Sequence, residues 1–308
     1  MGINVKDQYI TDRYAMYCGD TTEVIGGVDD DSVGLIVYSP PFSSLYTYSN
    51  SDRDLGNSRN DDEFFAHFDF IVNELYRILM PGRIMAVHCM NIPAMKERDG
   101  YIGIKDFRGD LIRCFQKHGF IYHSEVTIWK NPVTEMQRTK ALGLLHKQIK
   151  KDSSKSRMGM PDYIVFMRKQ GDNPEPITHT NESYPVSLWQ NVASPAWELT
   201  PPVWNDINQS NTLNRMFSDE ESEKHIAPLQ LDVIERIVNL YSNPNDVVFT
   251  PFMGIGSEVY QSVKMGRRAI GIELKDAYFE QAVKNMKSLE DEQAQVSLFD
   301  FLEMKEGE

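Results

Sequence analysis

Residues 246–273 constrain the fold of this chain more than any other stretch. Asp246-Val247-Val248-Phe249-Thr250 reads as a buried strand, and it runs into Pro251-Phe252-Met253-Gly254-Ile255-Gly256-Ser257. A helical pattern follows through Met265, and Arg268-Ala269-Ile270-Gly271-Ile272-Glu273 reads as the next strand, ending on a carboxylate. Strand, glycine turn, helix, strand, acid is the layout of a nucleoside-binding βαβ unit. Glycines let the backbone approach a ligand closely. Glu273 can accept hydrogen bonds from both hydroxyls of a ribose. The spacing is not G-x-G-x-x-G, which disfavours a pyrophosphate ligand. In the alternative, Gly254 and Gly256 only make a tight turn.

A second segment adds chemistry. The apolar run Leu35-Ile36-Val37-Tyr38 reads as a short buried strand that delivers Ser39-Pro40-Pro41-Phe42 into a loop. Prolines fix φ and donate no backbone N–H, so the loop is stiff and its carbonyls are available as acceptors. A hydroxyl, a proline carbonyl and a flat apolar ring on one rigid turn can hold a planar molecule carrying an amino group, such as a nucleobase. Ser-Pro-Pro also occurs in ordinary turns.

Together the two segments resemble the S-adenosylmethionine (SAM)-dependent amino-methyltransferases of DNA, of bacterial and phage type. Ser39 to Phe42 resembles their (S/N/D)-P-P-(Y/F/W) catalytic loop, and Phe252-Met253-Gly254-Ile255-Gly256 their F-x-G-x-G cofactor loop. Catalytic loop first and cofactor loop last is similar to the circularly permuted β class. That class opens the helix before the cofactor loop with a Lys-His-x-x-x-x-Pro-like stretch. Here Lys224-His225-Ile226-Ala227-Pro228 stands in that place, with Pro228 one or two residues early.

The resemblance implies an α/β fold: a permuted Rossmann-like methyltransferase sheet with an inserted target-recognition subdomain. It divides the chain into a catalytic half (1–170, with a basic insert at 131–158), a target-recognition region (171–224), a SAM-binding half (225–290) and an acidic tail (291–308). It implies Ser39, Pro40, Pro41 and Phe42 as catalytic residues. The implied cofactor contacts are Asp20, His225, Pro228, Thr250, Pro251, Phe252, Gly254, Gly256, Ser257 and Glu273, with no metal. Asp20 has a second reading, as the cap of the helix that follows it.

The chain carries a net charge of −13, which argues against a simple nucleic-acid binder, since phosphate contacts need cations. Its distribution softens that objection. Arg138, Lys140, Lys147, Lys150, Lys151, Lys155 and Arg157 lie close together, with Asp152 alone opposing them. They form either a phosphate-tracking surface or a solvated helix face. Cys18, Cys89 and Cys114 are too scattered for a disulfide framework or a zinc site and read as buried thiols. None follows a proline, so the Pro-Cys nucleophile of carbon-5 cytosine methylation is not visible. No apolar run is long enough to span a bilayer and no signal-peptide pattern opens the sequence, so a cytoplasmic enzyme is expected.

Along the chain, Met16-Tyr17-Cys18 reads as a strand and Glu63 to Leu79 as an amphipathic helix ended by Pro81-Gly82. Ile84 to Val87 reads as a strand, Leu111 to Lys117 as part of a helix, and Ile121 to Trp129 and Tyr163 to Met167 as strands. Thr134 to Lys151 reads as one helix. Ser43 to Asp62 is polar and turn-rich, as a lid beside a site can be. From Gln170 to about Asn214, prolines and the tryptophans at 189, 197 and 204 suggest a compact irregular subdomain. Gln295-Val296-Ser297-Leu298-Phe299 resembles the peptide by which bacterial proteins bind the replicative sliding clamp. Gln295, Leu298 and Phe299 would be its anchors on a disordered tail; alternatively Leu298 and Phe299 fold back onto the enzyme.

The expected function is site-specific methylation of double-stranded DNA, of the restriction–modification kind, on the exocyclic amino group of a base flipped out of the helix. Such a nitrogen is a poor nucleophile because its lone pair is delocalised into the ring. Ser39 Oγ and the Pro40 carbonyl, accepting from its two N–H groups, would bias it toward sp3 geometry, with Phe42 stacked on the base. Transfer would be direct, without a covalent enzyme intermediate. The serine favours cytosine N4 over adenine N6. Two other readings are an RNA or protein amide methyltransferase and a non-catalytic nucleic-acid-binding module. The enzyme would be a monomer or homodimer.

Overall fold

The computed structural model describes residues 4–42, 55–58, 61–139, 150–155, 157–179, 202–216 and 228–306. In chain order, β1 (Asp7–Ile10) and β2 (Tyr14–Cys18) lead through α1 (Thr21–Val24) to β3 (Val33–Tyr38). Next come α2 (Asp61–Ile78), β4 (Leu79–Cys89), a small hairpin of β5 (Ile92–Ala94) and β6 (Gly103–Lys105) around α3 (Lys96–Asp99), and α4 (Phe107–Lys117). Then follow β7 (Ile121–Ile128), α5 (Pro132–Thr139), β8 (Asp162–Arg168), β9 (Val203–Trp204) and α6 (Leu213–Met216). The chain closes with α7 (Leu231–Tyr241), β10 (Val247–Thr250), α8 (Ser257–Lys264), β11 (Arg268–Glu273) and α9 (Asp276–Glu306).

Nine strands form one sheet in the order β1-β2-β11-β10-β3-β4-β8-β7-β9. β2, β11, β10, β3 and β4 run parallel, whereas β1 pairs antiparallel with β2, and β8 with both β4 and β7; β9 runs parallel to β7. A parallel sheet must be covered on both faces. The sequence of β3, Val-Gly-Leu-Ile-Val-Tyr, answers that need, since all six residues are buried. Leu35 and Val37 join the core under α7, α8 and α9, where Ile234, Val259 and Phe279 lie. Ile36 and Tyr38 join the opposite core under α2 and α4, with Phe68 and Phe115. α2 forms because Phe64, Phe68, Ile71, Val72, Leu75 and Ile78 recur on one face behind an acidic first turn. Each fully buried ring there stabilises the fold by about 1.5–3 kcal/mol.

The order of the central strands sets the site. β3 continues through α2 to β4 on one side, and β10 continues through α8 to β11 on the other. β10 and β3 are therefore neighbouring parallel strands whose connections diverge, a topological switch point. In open α/β sheets ligands bind outside the carboxyl ends of the strands at such a point.

Several expectations are corrected. The helix before Pro81-Gly82 ends at Ile78 and Ile84 to Val87 lie in a strand, as expected, but that strand, β4, already begins at Leu79, and its register with β3 shifts between Val33 and Leu35. The pair lies within an irregular strand start, not a separate turn. Residues 202–216 do not belong to a separate irregular subdomain. Trp204 pairs beside Ile128 as the ninth strand of the main sheet and is buried with Ile207 and Leu213 in the α7–α9 core. Trp189 and Trp197 lie outside the described residues, as does the 43–54 segment. The helix read over Thr134 to Lys151 is described only as α5 and three helical residues at 150–152. The tail is helical, not disordered: α9 runs unbroken to Glu306, and its first half is anchored by Phe279, Ala282, Met286 and Leu289. Among the described residues, no helix is long and apolar enough to cross a membrane.

Candidate active site

At the switch point lies a cavity of 540 Å³, in the size range of small-molecule sites. Ser39, Pro40, Pro41 and Phe42 line it from the end of β3, and Pro251, Phe252, Met253 and Gly254 from the end of β10. Asp20, Pro228, Ser257 and Glu273 complete the wall. The structure thus brings together eleven of the sequence-derived site residues. Thr250 lies one residue back, its hydroxyl buried, and Gly256 is the N-cap of α8. His225 lies outside the described residues.

The cofactor loop is shaped by its backbone. Gly254 has φ 56° and Gly256 φ 90°, the left-handed region in which side chains are strained. That path turns the Gly254 N–H onto Glu273 Oε2 at 2.7 Å, while the Lys275 N–H donates to Glu273 Oε1 at 2.8 Å. The Glu273 carboxylate is therefore held in place from both oxygens. Thr21 donates its hydroxyl to the Pro251 carbonyl at 2.6 Å and ties α1 to the same loop. Asp20 is the cap of α1 and faces the cavity as well. Its carboxylate accepts from the Thr22 N–H at 2.9 Å.

The catalytic loop reaches farther into the fold. Ser39 Oγ lies 2.8 Å from His88 Nδ1, at the end of β4. His88 Nε2 lies 2.8 Å from Asp162 Oδ2, the first residue of β8, and Lys130 forms an ion pair with the same carboxylate. All three side chains are nearly buried. Phe42 meets the His88 ring edge-on, with centroids 6.1 Å apart, and is itself 2% exposed. Most of its surface is thus already packed.

Sequence reasoning missed His88, Asp162, Lys130 and Glu258. A histidine inside the apolar run of β4 was the one available signal. Glu258 reads as an ordinary carboxylate in a helix first turn, yet it is buried and lines the cavity. Burial, with the charge of Glu273 added, pushes its carboxyl up to about 8.

The basic stretch divides. Lys150 and Lys151 are exposed. Arg157 is not a free surface cation: its guanidinium donates to both Glu135 oxygens at 3.0 and 3.2 Å and to the Met158 carbonyl. Glu135 is buried and also accepts from the Met160 N–H, so this pair fastens α5 to the segment before β8. The side chains of Arg138 and Lys155, and all of Lys140 and Lys147, lie outside what is described. The three cysteines are free and buried, with the Cys18 and Cys114 thiols pushed up to about 12 by burial. Among the described residues, Asp69, Cys114 and His118 form one cluster with close donor atoms, but Lys117 and His118 already satisfy Asp69.

A proline-stiffened polar loop and a glycine loop, facing one cavity from adjacent strands and reversed in chain order, define a permuted β-class SAM-dependent amino-methyltransferase. Residues 33–284 match the DNA methylase family of N6 and N4 enzymes, and the chain belongs to that family. It is 24% identical over 292 residues to the type II methyltransferase M.BamHI of Bacillus amyloliquefaciens, a match covering 88% of this chain and 56% of that protein. Two solved structures share the fold. A DNA modification methylase from Thermus thermophilus, complexed with S-adenosyl-L-methionine, superposes with a TM-score of 0.62 at 22% identity, covering 90% of this chain and 95% of its own. The cytosine-N4-specific PvuII DNA methyltransferase gives 0.64 at 17% identity, covering 94% of both chains.

Proposed function

We propose that this protein methylates the exocyclic amino group of a flipped base in double-stranded DNA, with cytosine N4 the favoured target and adenine N6 the alternative. The carrying observation is that Ser39 to Phe42 and Pro251 to Gly254 line one cavity from neighbouring strand ends. The donor set suits SAM. Glu273 would hold the ribose hydroxyls, Asp20 would lie near the adenine, and the 252–256 loop would pass the methionine end. The buried Glu273 carboxylate suits a ligand carrying positive charge. SAM, when bound, supplies a methyl group activated on a sulfonium. The protein's own part is positional: Ser39 Oγ and the Pro40 carbonyl accept from the amino group, and the Pro40-Pro41 pair keeps these acceptors fixed. The covered state of Phe42 supports an edge or wall contact to the base as much as a full stack.

Residues 171–224, less the 202–216 stretch that packs on the sheet, are proposed to read the target sequence. Arg138, Lys140, Lys147, Lys150, Lys151 and Lys155 are proposed to contact phosphate. The sliding-clamp reading of Gln295, Leu298 and Phe299 rests on sequence alone and requires the end of α9 to unwind on binding; a peptide of residues 292–302 that fails to bind the host's clamp removes it. The function is tested by mass spectrometry of nucleosides from DNA incubated with protein and SAM. N4-methylcytosine is expected. N6-methyladenine selects the alternative, and unmodified DNA overturns the proposal.

A further inference from the structure

Ser39, His88, Asp162 and Lys130 form a continuous polar chain from the cavity into the sheet, and the position of each is set by a different element. Ser39 follows β3, His88 is near the end of β4, Asp162 opens β8, and Lys130 follows β7. β4 and β8 are antiparallel neighbours, which places the end of one beside the start of the other. Two hydrogen bonds of 2.8 Å and one ion pair join the four groups.

The chain has a direction. Lys130 holds Asp162 as a carboxylate, which only accepts. His88 Nε2 must then carry the proton and donate to Asp162. In a neutral imidazole the other nitrogen, Nδ1, is an acceptor. Ser39 therefore donates its hydroxyl proton to Nδ1 and turns its lone pairs toward the cavity. A group bound there meets an acceptor, so the site is polarised for N–H and against a carbonyl oxygen.

We propose that His88 is the proton acceptor of the methyl transfer, working through Ser39, with Asp162 as its positioning residue. This rests on the amino-methylation reading above. When the amino nitrogen takes the methyl group, its lone pair makes the new N–C bond, the C–S bonding pair stays on the donor's sulfur, and nitrogen carries the positive charge. One N–H bond must then break. That proton goes to Ser39 Oγ as the serine's own proton passes to His88 Nδ1. His88 becomes an imidazolium whose Nε2–H still faces Asp162, and it later gives its proton to water. Serine ends the cycle as a neutral hydroxyl.

The groups around His88 fit this role. Asp162 from β8 and Lys130 from beyond β7 set one group of each charge at the inner end of the chain. Phe42 covers the ring edge-on from the β3 loop. Glu258 and Glu273 line the same cavity from the cofactor side. The Arg108–Glu125 pair, 2.8 Å apart, bridges the neighbouring α4 and β7.

Two readouts test it. In 15N spectra of histidine-labelled protein without ligand, His88 should be neutral with Nε2 protonated and Nδ1 bare, and Asp162→Asn should disturb that tautomer. In single-turnover methylation, His88→Asn keeps an acceptor near Ser39 but takes no proton. Its rate should fall about 10²–10⁴-fold, the range of general-base loss. The rise of rate with pH that reports His88 deprotonation should vanish, while SAM affinity stays within about twofold. Asp162→Asn, which leaves His88 in place, should lower the rate as well. An Nδ1-protonated His88 in the wild type, or His88→Asn with the wild-type rate and pH profile, overturns the relay alone. A wild-type protein that transfers no methyl to DNA overturns the amino-methylation reading and the relay with it.

Discussion

The two walls of the cavity are built by opposite means. The β10–α8–β11 wall is local. Gly254, Gly256, Glu273 and Lys275 lie close together in the chain, and the backbone itself supplies the bonds that fix Glu273. The β3 wall is dispersed. Ser39 depends on His88, Asp162 and Lys130, brought together only by strand order. A ligand-holding surface can be written into one βαβ unit, whereas a reacting group needs partners on several strands. Substitutions on the first wall should change binding, and those on the second should change rate.

The largest effect is expected on the dispersed wall. Pro41→Ala with Phe42→Ala should cut single-turnover methylation by ~10²-fold or more, since small misplacements at a reacting centre cost that much. SAM affinity, measured by calorimetry, should hardly move. Next comes Trp204→Ala. It should cost about 3–5 kcal/mol in denaturant unfolding, as expected for a buried tryptophan. Near-zero cost would return residues 202–216 to a separate subdomain. On the local wall, Glu273→Ala removes hydrogen bonds to a charged acceptor, each worth roughly 1.5–3 kcal/mol, so SAM affinity should fall at least tenfold. Unchanged affinity would mean that Glu273 only braces its own loop.

A smaller effect separates the walls by pH. Glu258 is held protonated in the fold up to about 8, well above its ordinary 4.5. The folded state therefore binds more protons than the unfolded state between those values, so this group makes stability fall as pH rises from about 5 to about 8. Its share is at most about 1.4 kcal/mol per pH unit. Glu258→Gln should flatten that decline in unfolding experiments, and an unchanged slope would place the shift elsewhere. The smallest effect concerns the outer surface. Alanine at Lys147, Lys150 and Lys151 should weaken DNA binding at all sequences and reduce the salt slope by about 0.9 for each phosphate no longer neutralised.

The same contrast explains what could be read in the sequence. The βαβ unit was legible almost to the residue, because strand, glycines, helix and acid are consecutive; β11 spans Arg268–Glu273 as expected. α2 was legible from its apolar spacing. Trp204 was not, because a two-residue edge strand has no periodicity and its pairing with β7 is long-range. Pro81-Gly82 marked the helix end rightly but hid where the next strand begins: Leu79 already pairs with Val33, and the ladder resumes at Ile84 past the irregularity that holds them. Arg157 counted as one more cation until its buried partner Glu135, 22 residues away, took it out of the surface. His88 carried a weak signal, a polar ring in an apolar strand, but nothing local names Asp162 as its partner.

The most direct test of the two-wall division is transfer of a labelled methyl group from SAM to duplex DNA, run in parallel with SAM calorimetry, for wild type and the Pro41→Ala, Phe42→Ala double variant. Labelled DNA is expected with the wild type and almost none with the variant, at equal SAM affinity for both. A variant that labels DNA at the wild-type rate would place the reacting site away from the β3 loop and contradict that division.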